Sequence, residues 1–426
     1  MQQRISPASA ITGAITLPGD KSISHRYAMI SAIAEGPSHI HNYSTGADCH
    51  STLGCVRALG IDVAVDGTDV VIQGKGLDGL RAPAGDLDAG NSGSTIRMLS
   101  GILAAQPFVT RIFGDESLSE RPMQRIMKPL ALMGADVRAR EDKFPPLEIH
   151  GSKLRAIDYM LPVASAQVKT CVLFAGLFAE GETTVTEPVA SRDQTEVALG
   201  EFGADLTSAQ GKITIVGRPR LTGRELLVPS DISSAAFFIV AALLAPGSQL
   251  TIRGVGLNPT RSALLDLVTG MGAKIRIASL AIQNGEIIGD LVVQHSELKG
   301  GTVSGATTAA LIDEIPVLAV LGAATEEGLT VRDAGELRVK ETDRIHTVIE
   351  NLRRLGVEAR ELPDGMVIPG RQKFRAATFD SFGDHRIAMA FAVAALRGDG
   401  ESVIENAEAA SVSFPEFWAT LARIAE

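Results

Sequence analysis

Asp313 and Glu341 are carboxylates set among cations. Asp313 stands in Asp313-Glu314-Ile315-Pro316 and Glu341 in Arg338-Val339-Lys340-Glu341-Thr342-Asp343-Arg344. A carboxylate beside fixed positive charge can take a proton from a hydroxyl or give one to a carbon, so these two are acid/base candidates. The cations recur at polar turns: Lys21, Arg26, Arg97, Arg121, Lys169, Arg192, Lys340, Arg344 and Arg386. In a chain of formal net charge −10, such clustering implies a small ligand with several phosphate or carboxylate charges. Plainer readings stand beside these. The Asp313-Glu314 pair, read as lying inside a long apolar helix, is costly unless partnered; an exposed break before Pro316 is the alternative. Lys340 and Arg344 lie at i,i+4 and share a face if the segment is helical; otherwise the stretch is a solvated charge run.

The turns must be held by regular elements. Pro18-Gly19-Asp20-Lys21-Ser22-Ile23-Ser24-His25-Arg26 follows a short apolar strand at 14–17 and opens an apolar helix at 27–34. A glycine turn, two hydroxyls and two cations at a helix start describe an anion site, because free N–H groups and the helix dipole point there. The alternative is an N-cap at Ser22 or Ser24 with solvated charges. The same turn is echoed at Gly90-Asn91-Ser92-Gly93-Ser94-Thr95-Ile96-Arg97, at Ser165-Ala166-Gln167-Val168-Lys169, at Pro229-Ser230-Asp231, before Asp313, and at Gly383-Asp384-His385-Arg386. Each opens an apolar helix followed by a strand-like run. In most units a second helix then ends in a glycine with a hairpin behind it, and these endings recur roughly 70–85 residues apart.

Six such units are too many for one core. Three per domain gives residues 20–229 as one domain and 1–19 with 230–426 as the other, with hinges near 18–20 and 229–231. The strand at 13–17 then completes the C-terminal domain, whose last unit lacks its hairpin. The helices are apolar nearly all round and belong in the centre of each domain under surrounding sheets.

The composition, 45% apolar, 21% charged and 4% aromatic, is that of a globular protein. Its negative charge argues against nucleic acid or an anionic membrane as partner. Cys49, Cys55 and Cys171 lack metal-ligand spacing and read as reduced thiols. No signal or transit segment is expected, and the longest apolar run, 235–246, is too short to span a bilayer. A cytoplasmic location follows.

The ordered set PGDKSISHR, AGNSGSTIR, ERPM, SAQVK, DEIP, RVKETDRI, GDHRIAMA and SFPEF resembles the 5-enolpyruvylshikimate-3-phosphate synthase family over the whole chain. Asp20-Lys21-Ser22, the SAQVK turn and Asn258-Pro259-Thr260-Arg261 look like its second sequence class. Two departures stand out: Gln194 replaces the usual histidine of an R-x-H-T-E pattern, and Val412 replaces a C-terminal lysine. The resemblance implies an α/β fold, a two-domain inside-out α/β barrel of three βαβαββ units per domain, with the active site in the inter-domain cleft. It implies transfer of the enolpyruvyl group of phosphoenolpyruvate to the 5-hydroxyl of shikimate 3-phosphate. No metal or organic cofactor and a monomer are implied. Asp313 matches the proton acceptor and Glu341 the donor, with Lys21 sharing proton transfer. Lys21, Ser22, Arg26, Ser165, Gln167, Arg192, Asp313 and Lys340 match the shikimate 3-phosphate site. Lys21, Gly93, Arg121, Gln167, Arg344 and Arg386 match the phosphoenolpyruvate site. Gly93 leaves room for glyphosate.

Two alternatives remain. The sister enolpyruvyl transferase acting on UDP-N-acetylglucosamine shares the fold, but it carries a cysteine in the loop matching 114–125 and a K-N-A-A turn, both missing here. A non-catalytic anion-binding relative would gain nothing from Asp313 and Glu341.

Overall fold

Six helices are apolar nearly all round, and burial follows from that. In the computed structural model, which describes residues 1–426, they run over Lys21–Ile33, Gly93–Leu103, Ala166–Gly176, Ile232–Leu244, Ile315–Ala324 and His385–Ala395. Residues 232–243 are all buried, as are 315–323 and 385–395. Helices without a wet face must be enclosed by other elements.

The chain forms two compact units, Gly19–Val228 with Gln283–Gly285, and Met1–Pro18 with Pro229–Ile282 and Glu286–Glu426. Each holds three core helices and three sheets. In the unit built on Gly19–Val228, every sheet has four strands in one repeated order, for example Leu87–Asp88, Val109–Phe113, Phe144–His150 and Asp136–Arg140. The first pair is parallel and the others antiparallel. The outer helices Ala47–Ala58, Gln124–Met133, Gln194–Glu201, Ala263–Gly270 and Arg344–Arg354 are each followed by glycine at positive φ (Gly60 86°, Gly134 104°, Gly203 94°, Gly272 107°, Gly356 80°). Only glycine takes that left-handed turn without penalty, which ends the helix and starts the hairpin.

The second unit borrows its missing strands from the N-terminus. Thr12–Thr16 lies parallel to Gln249–Arg253. Gln2–Ile5, which the sequence pattern does not reveal, runs antiparallel to Ser402–Glu405 and completes a three-stranded sheet with Thr378–Asp380. The three core helices of this unit pack on one another. Phe237, Phe238, Phe414 and Phe417 fill its core with tilted and edge-on ring contacts.

Three local expectations need correction. The first core helix begins at Lys21, not Tyr27, because the Asp20 carboxylate caps it by accepting the Ile23 N–H at 2.9 Å; neither Ser22 nor Ser24 is the cap. The helix read through Asp313 is two helices, Gly305–Ala310 and Ile315–Ala324, joined by a turn at 311–314. Pro316 sits in the first turn of the second helix, where its missing N–H costs nothing. Lys340 and Arg344 do not share a helix: Lys340 ends the 3-10 turn Gly335–Val339, and Arg344 opens the next helix, capped by Asp343. No helix is long and apolar enough to cross a membrane.

Candidate active site

The candidate residues fall into two sets, one per unit, each gathered at the N-terminal ends of core helices. In the unit containing Asp313, the turn at 311–314 presents that residue to three cations. Its carboxylate lies 3.6 Å from Lys340 Nζ, 3.6 Å from Arg344 Nη1 and 3.9 Å from Arg386 Nη2. Arg386 Nη1 also donates to the Asp313 carbonyl at 2.8 Å. Lys340 and Arg344 therefore converge on one carboxylate, although from separate elements.

Arg344 is the hub of this set. Its side chain is 1% exposed and donates to Glu341 Oε2 at 2.6 Å and to Asp384 Oδ2 at 2.7 Å. Burial works against its charge, but Asp384, Glu341 and Asp313 outweigh it and raise its pKa above the ordinary arginine value. Asp384 is fully buried and does double duty, because its Oδ1 also caps the helix His385–Ala395 through the Arg386 N–H at 2.8 Å. Its place in Gly383-Asp384-His385-Arg386 was visible in sequence as a turn, but its hold on Arg344, 40 residues away, was not. Arg338 braces the segment from behind through Asp343 at 2.6 Å and Glu361 at 3.0 Å.

In the unit built on Gly19–Val228, Lys21 is the first residue of its helix and donates to Asp48 at 2.9 Å. Arg26, one turn on, is buried. It donates to the Thr195 hydroxyl at 2.7 Å, the Thr170 hydroxyl at 2.9 Å and the Ser22 carbonyl at 2.8 Å. Ser165 caps the third core helix, accepting from Val168 N. Gln167 accepts from Arg97 Nη1 at 2.9 Å and donates to the Ser94 hydroxyl at 3.0 Å, which ties the second and third turns together. Arg121 donates to Asn91 Oδ1 at 2.8 Å and Ser117 Oγ at 2.9 Å. Gly93 lies beneath the same cations: a Cβ there would be 2.7 Å from Arg97 Nη1 and 3.6 Å from Arg121 Nη1. Asp48, Asn91 and Ser94 are thus the partners of Lys21, Arg121 and Gln167, pairings that no local spacing in the sequence reveals.

Lys169, by contrast, is wholly buried. Its side chain is 1% exposed and pairs with Glu196 at 2.6 Å and Glu187 at 3.0 Å. Burial pushes Glu196 above the usual carboxylate range, with Lys169 offsetting part of that rise. Glu187 in turn accepts from the Ser191 N–H at 3.3 Å and its hydroxyl, so Lys169 anchors the loop that carries half-buried Arg192. Gln194 is buried and its Oε1 has no hydrogen-bond partner. Val412 ends a 3-10 turn and is half-buried; it brings no cation.

A cavity of about 1120 Å³ opens at the other ends of core helices, beside Leu244, Ala324 and Arg397. Its lysines and arginines are nearly balanced by Glu297, Glu326, Glu358 and Asp399. Helix C-termini add negative dipole, so it does not suit a ligand with several negative charges. No three or more His, Cys, Asp and Glu side chains are grouped so as to hold a metal ion.

Comparison with known proteins bears on the family and the fold. Residues 5–421 match the family model described as EPSP synthase (3-phosphoshikimate 1-carboxyvinyltransferase). The chain is 83% identical over 426 residues to the 3-phosphoshikimate 1-carboxyvinyltransferase of Solibacter usitatus, covering 100% of both chains. It is 52% identical over 424 residues to that of Koribacter versatilis, covering 99% of each. Among solved structures, EPSP synthase from Acinetobacter baumannii superposes with a TM-score of 0.89 at 42% identity, covering 100% of this chain and 98% of that one. The enolpyruvyl transferase NikO from Streptomyces tendae shares the fold, with a TM-score of 0.79 at 18% identity over 99% of this chain and 97% of its own.

Proposed function

The chain belongs to the EPSP synthase family, and from that membership we propose how its residues divide the chemistry. The reaction moves the enolpyruvyl group of phosphoenolpyruvate to the 5-hydroxyl of shikimate 3-phosphate and releases phosphate, a step of aromatic biosynthesis. In the addition, Asp313 takes the 5-hydroxyl proton while that oxygen bonds to C2 of phosphoenolpyruvate, and Glu341 gives a proton to the C3 methylene. In the elimination, the Glu341 carboxylate, which gave up its proton in the addition, takes a proton from the new methyl group as the tetrahedral intermediate loses phosphate, which restores the double bond. Lys21 shares in proton transfer.

The observation that carries this assignment is Asp313 at 3.6 Å from both Lys340 and Arg344, with Glu341 on the same Arg344 at 2.6 Å. Two carboxylates held at one guanidinium can serve opposite ends of one proton-transfer sequence, and fixed cations stabilise the charge that develops between them. Ser22, Arg26, Ser165, Gln167, Arg192 and Lys340, with Lys21 and Asp313, take shikimate 3-phosphate. Gly93, Arg121, Gln167, Arg344 and Arg386, with Lys21, take phosphoenolpyruvate.

The test is phosphate release from phosphoenolpyruvate, which should require shikimate 3-phosphate. Asp313→Ala should lower turnover at least ~100-fold while leaving the dissociation constant for shikimate 3-phosphate within about tenfold, as expected of a general base. A near-normal rate would remove Asp313 from the mechanism. Release driven by UDP-N-acetylglucosamine instead would assign the chain to the sister reaction.

A further inference from the structure

Next to Asp313 along the chain, Glu314 belongs to a buried ionic cluster that the reaction as described does not use. Glu314 is 1% exposed. It occupies the N-cap position of the helix Ile315–Ala324, yet its side chain caps nothing there. Its Oε1 instead accepts the Ser233 hydroxyl. That hydroxyl accepts Arg261 Nη2 at 2.7 Å, and Arg261 also lies 3.6 Å from Asp231 and 4.0 Å from Glu314. Asp231 caps the helix Ile232–Leu244 through the Ser233 N–H at 2.8 Å. Glu314 Oε2 has no hydrogen-bond partner, so the carboxylate is only partly compensated for its loss of water.

Such a cluster is a poor source of stability, since apolar side chains of similar volume would serve as well or better. Its position suggests its use. Glu314 is the chain neighbour of Asp313 and ends the turn at 311–314, whose backbone is held at its two ends by the Leu311 N–H on the Thr307 carbonyl at 3.0 Å and by the Glu314 and Ile315 N–H groups on the Leu311 carbonyl at 2.9 and 3.1 Å. The cluster ties that turn to the start of the helix Ile232–Leu244. Arg386, at the start of the helix His385–Ala395, grips the Asp313 carbonyl from the other side at 2.8 Å. The turn is therefore fastened to the N-terminal ends of all three core helices of its unit.

We propose that Glu314, held by Ser233 and Arg261, is a positioning residue that fixes the direction in which Asp313 meets the 5-hydroxyl. This rests on the assignment of Asp313 as the base. A base displaced by an ångström can lose about a hundredfold in rate without loss of binding. Glu314→Ala should lower kcat by roughly 10- to 100-fold, with KM for both substrates within about threefold. Glu314→Gln, which keeps the volume and an acceptor for Ser233, should recover kcat to within about fivefold of the parent.

The deciding measurement is a cycle with Asp313→Ala. If Glu314 acts through Asp313, adding Glu314→Ala to that variant should lower its residual turnover by less than about threefold. The full Glu314→Ala loss reappearing in the Asp313→Ala background would overturn the proposal, as would KM rising in step with the fall in kcat, or Gln performing no better than Ala. Should Glu314→Ala not fold, Ser233→Ala, which removes the hydroxyl holding Glu314, enters the same cycle with the same criterion. Near-normal turnover in Asp313→Ala alone would remove the base and this proposal together, whereas additive losses would remove only this one.

Discussion

Gly93 has no side chain, and the space where one would begin is already claimed by Arg97 at 2.7 Å. A methyl there must push the guanidinium tip, which is flexible, away from its bond to Gln167 at 2.9 Å. Gly93→Ala should therefore raise KM for phosphoenolpyruvate by about tenfold, equivalent to ~1.4 kcal/mol of binding, while KM for shikimate 3-phosphate moves less than about threefold. Steady-state kinetics with each substrate varied would check this, and two unchanged KM values would mean that Arg97 relaxes without cost. At this scale the sequence made the charges legible but not their partners. Arg26, Arg121, Arg344 and Arg386 announced themselves as cations at helix-opening turns. Lys169 sits in an equally suggestive turn and is spent on Glu187 and Glu196, 18 and 27 residues further on. Nothing local to Ser165-Ala166-Gln167-Val168-Lys169 tells an ammonium that will meet a ligand from one that will be buried on two carboxylates.

The core helices carry their own pH dependence. His25 is fully buried in Lys21–Ile33, with Nδ1 2.7 Å from the Thr52 hydroxyl. Burial, then the nearby charges of Lys21 and Arg26, lower its pKa well below the ordinary 6.5. The folded chain thus keeps this ring neutral while the unfolded chain takes up a proton as pH falls below 6.5. The unfolded state binds more protons, so stability is lost with falling pH, by up to about 1.4 kcal/mol per pH unit for one group. Urea unfolding between pH 7 and 5 should show a steeper decline for the parent than for His25→Gln. Equal slopes would mean that the native ring protonates freely. Elements of this kind were the most readable part of the chain, because a helix apolar on every face can only be buried. Their ends were less so: the first turn of Lys21–Ile33 is polar and is capped by Asp20, and the break before Pro316 was readable only as an alternative to an unbroken helix, with Glu314 there buried rather than exposed.

The repeat was legible at the scale of the molecule, since each polar turn, apolar helix and glycine-ended second helix restates the same unit. What escaped notice was Gln2–Ile5, four residues of which only Ile5 is buried; such a segment has almost no hydrophobic signal and is a strand only because Ser402–Glu405 needs a neighbour. Removing residues 1–5 leaves that sheet with two strands, a marginal arrangement. Loss of Ile5 burial alone should cost about 2 kcal/mol, which lowers the melting temperature by roughly 4–8 °C for a domain of this size. Calorimetry on the shortened chain would show it, and an unchanged transition would make the strand ornamental. The pairing also sets an order of events during synthesis. Gln2–Ile5 is made before its partner Ser402–Glu405, on the order of 20–80 s earlier at ordinary elongation rates. Within that interval the segment 19–228 acquires all the strands of its own sheets and Thr12–Thr16 meets Gln249–Arg253, while Gln2–Ile5 waits unpaired until Ser402–Glu405 is made.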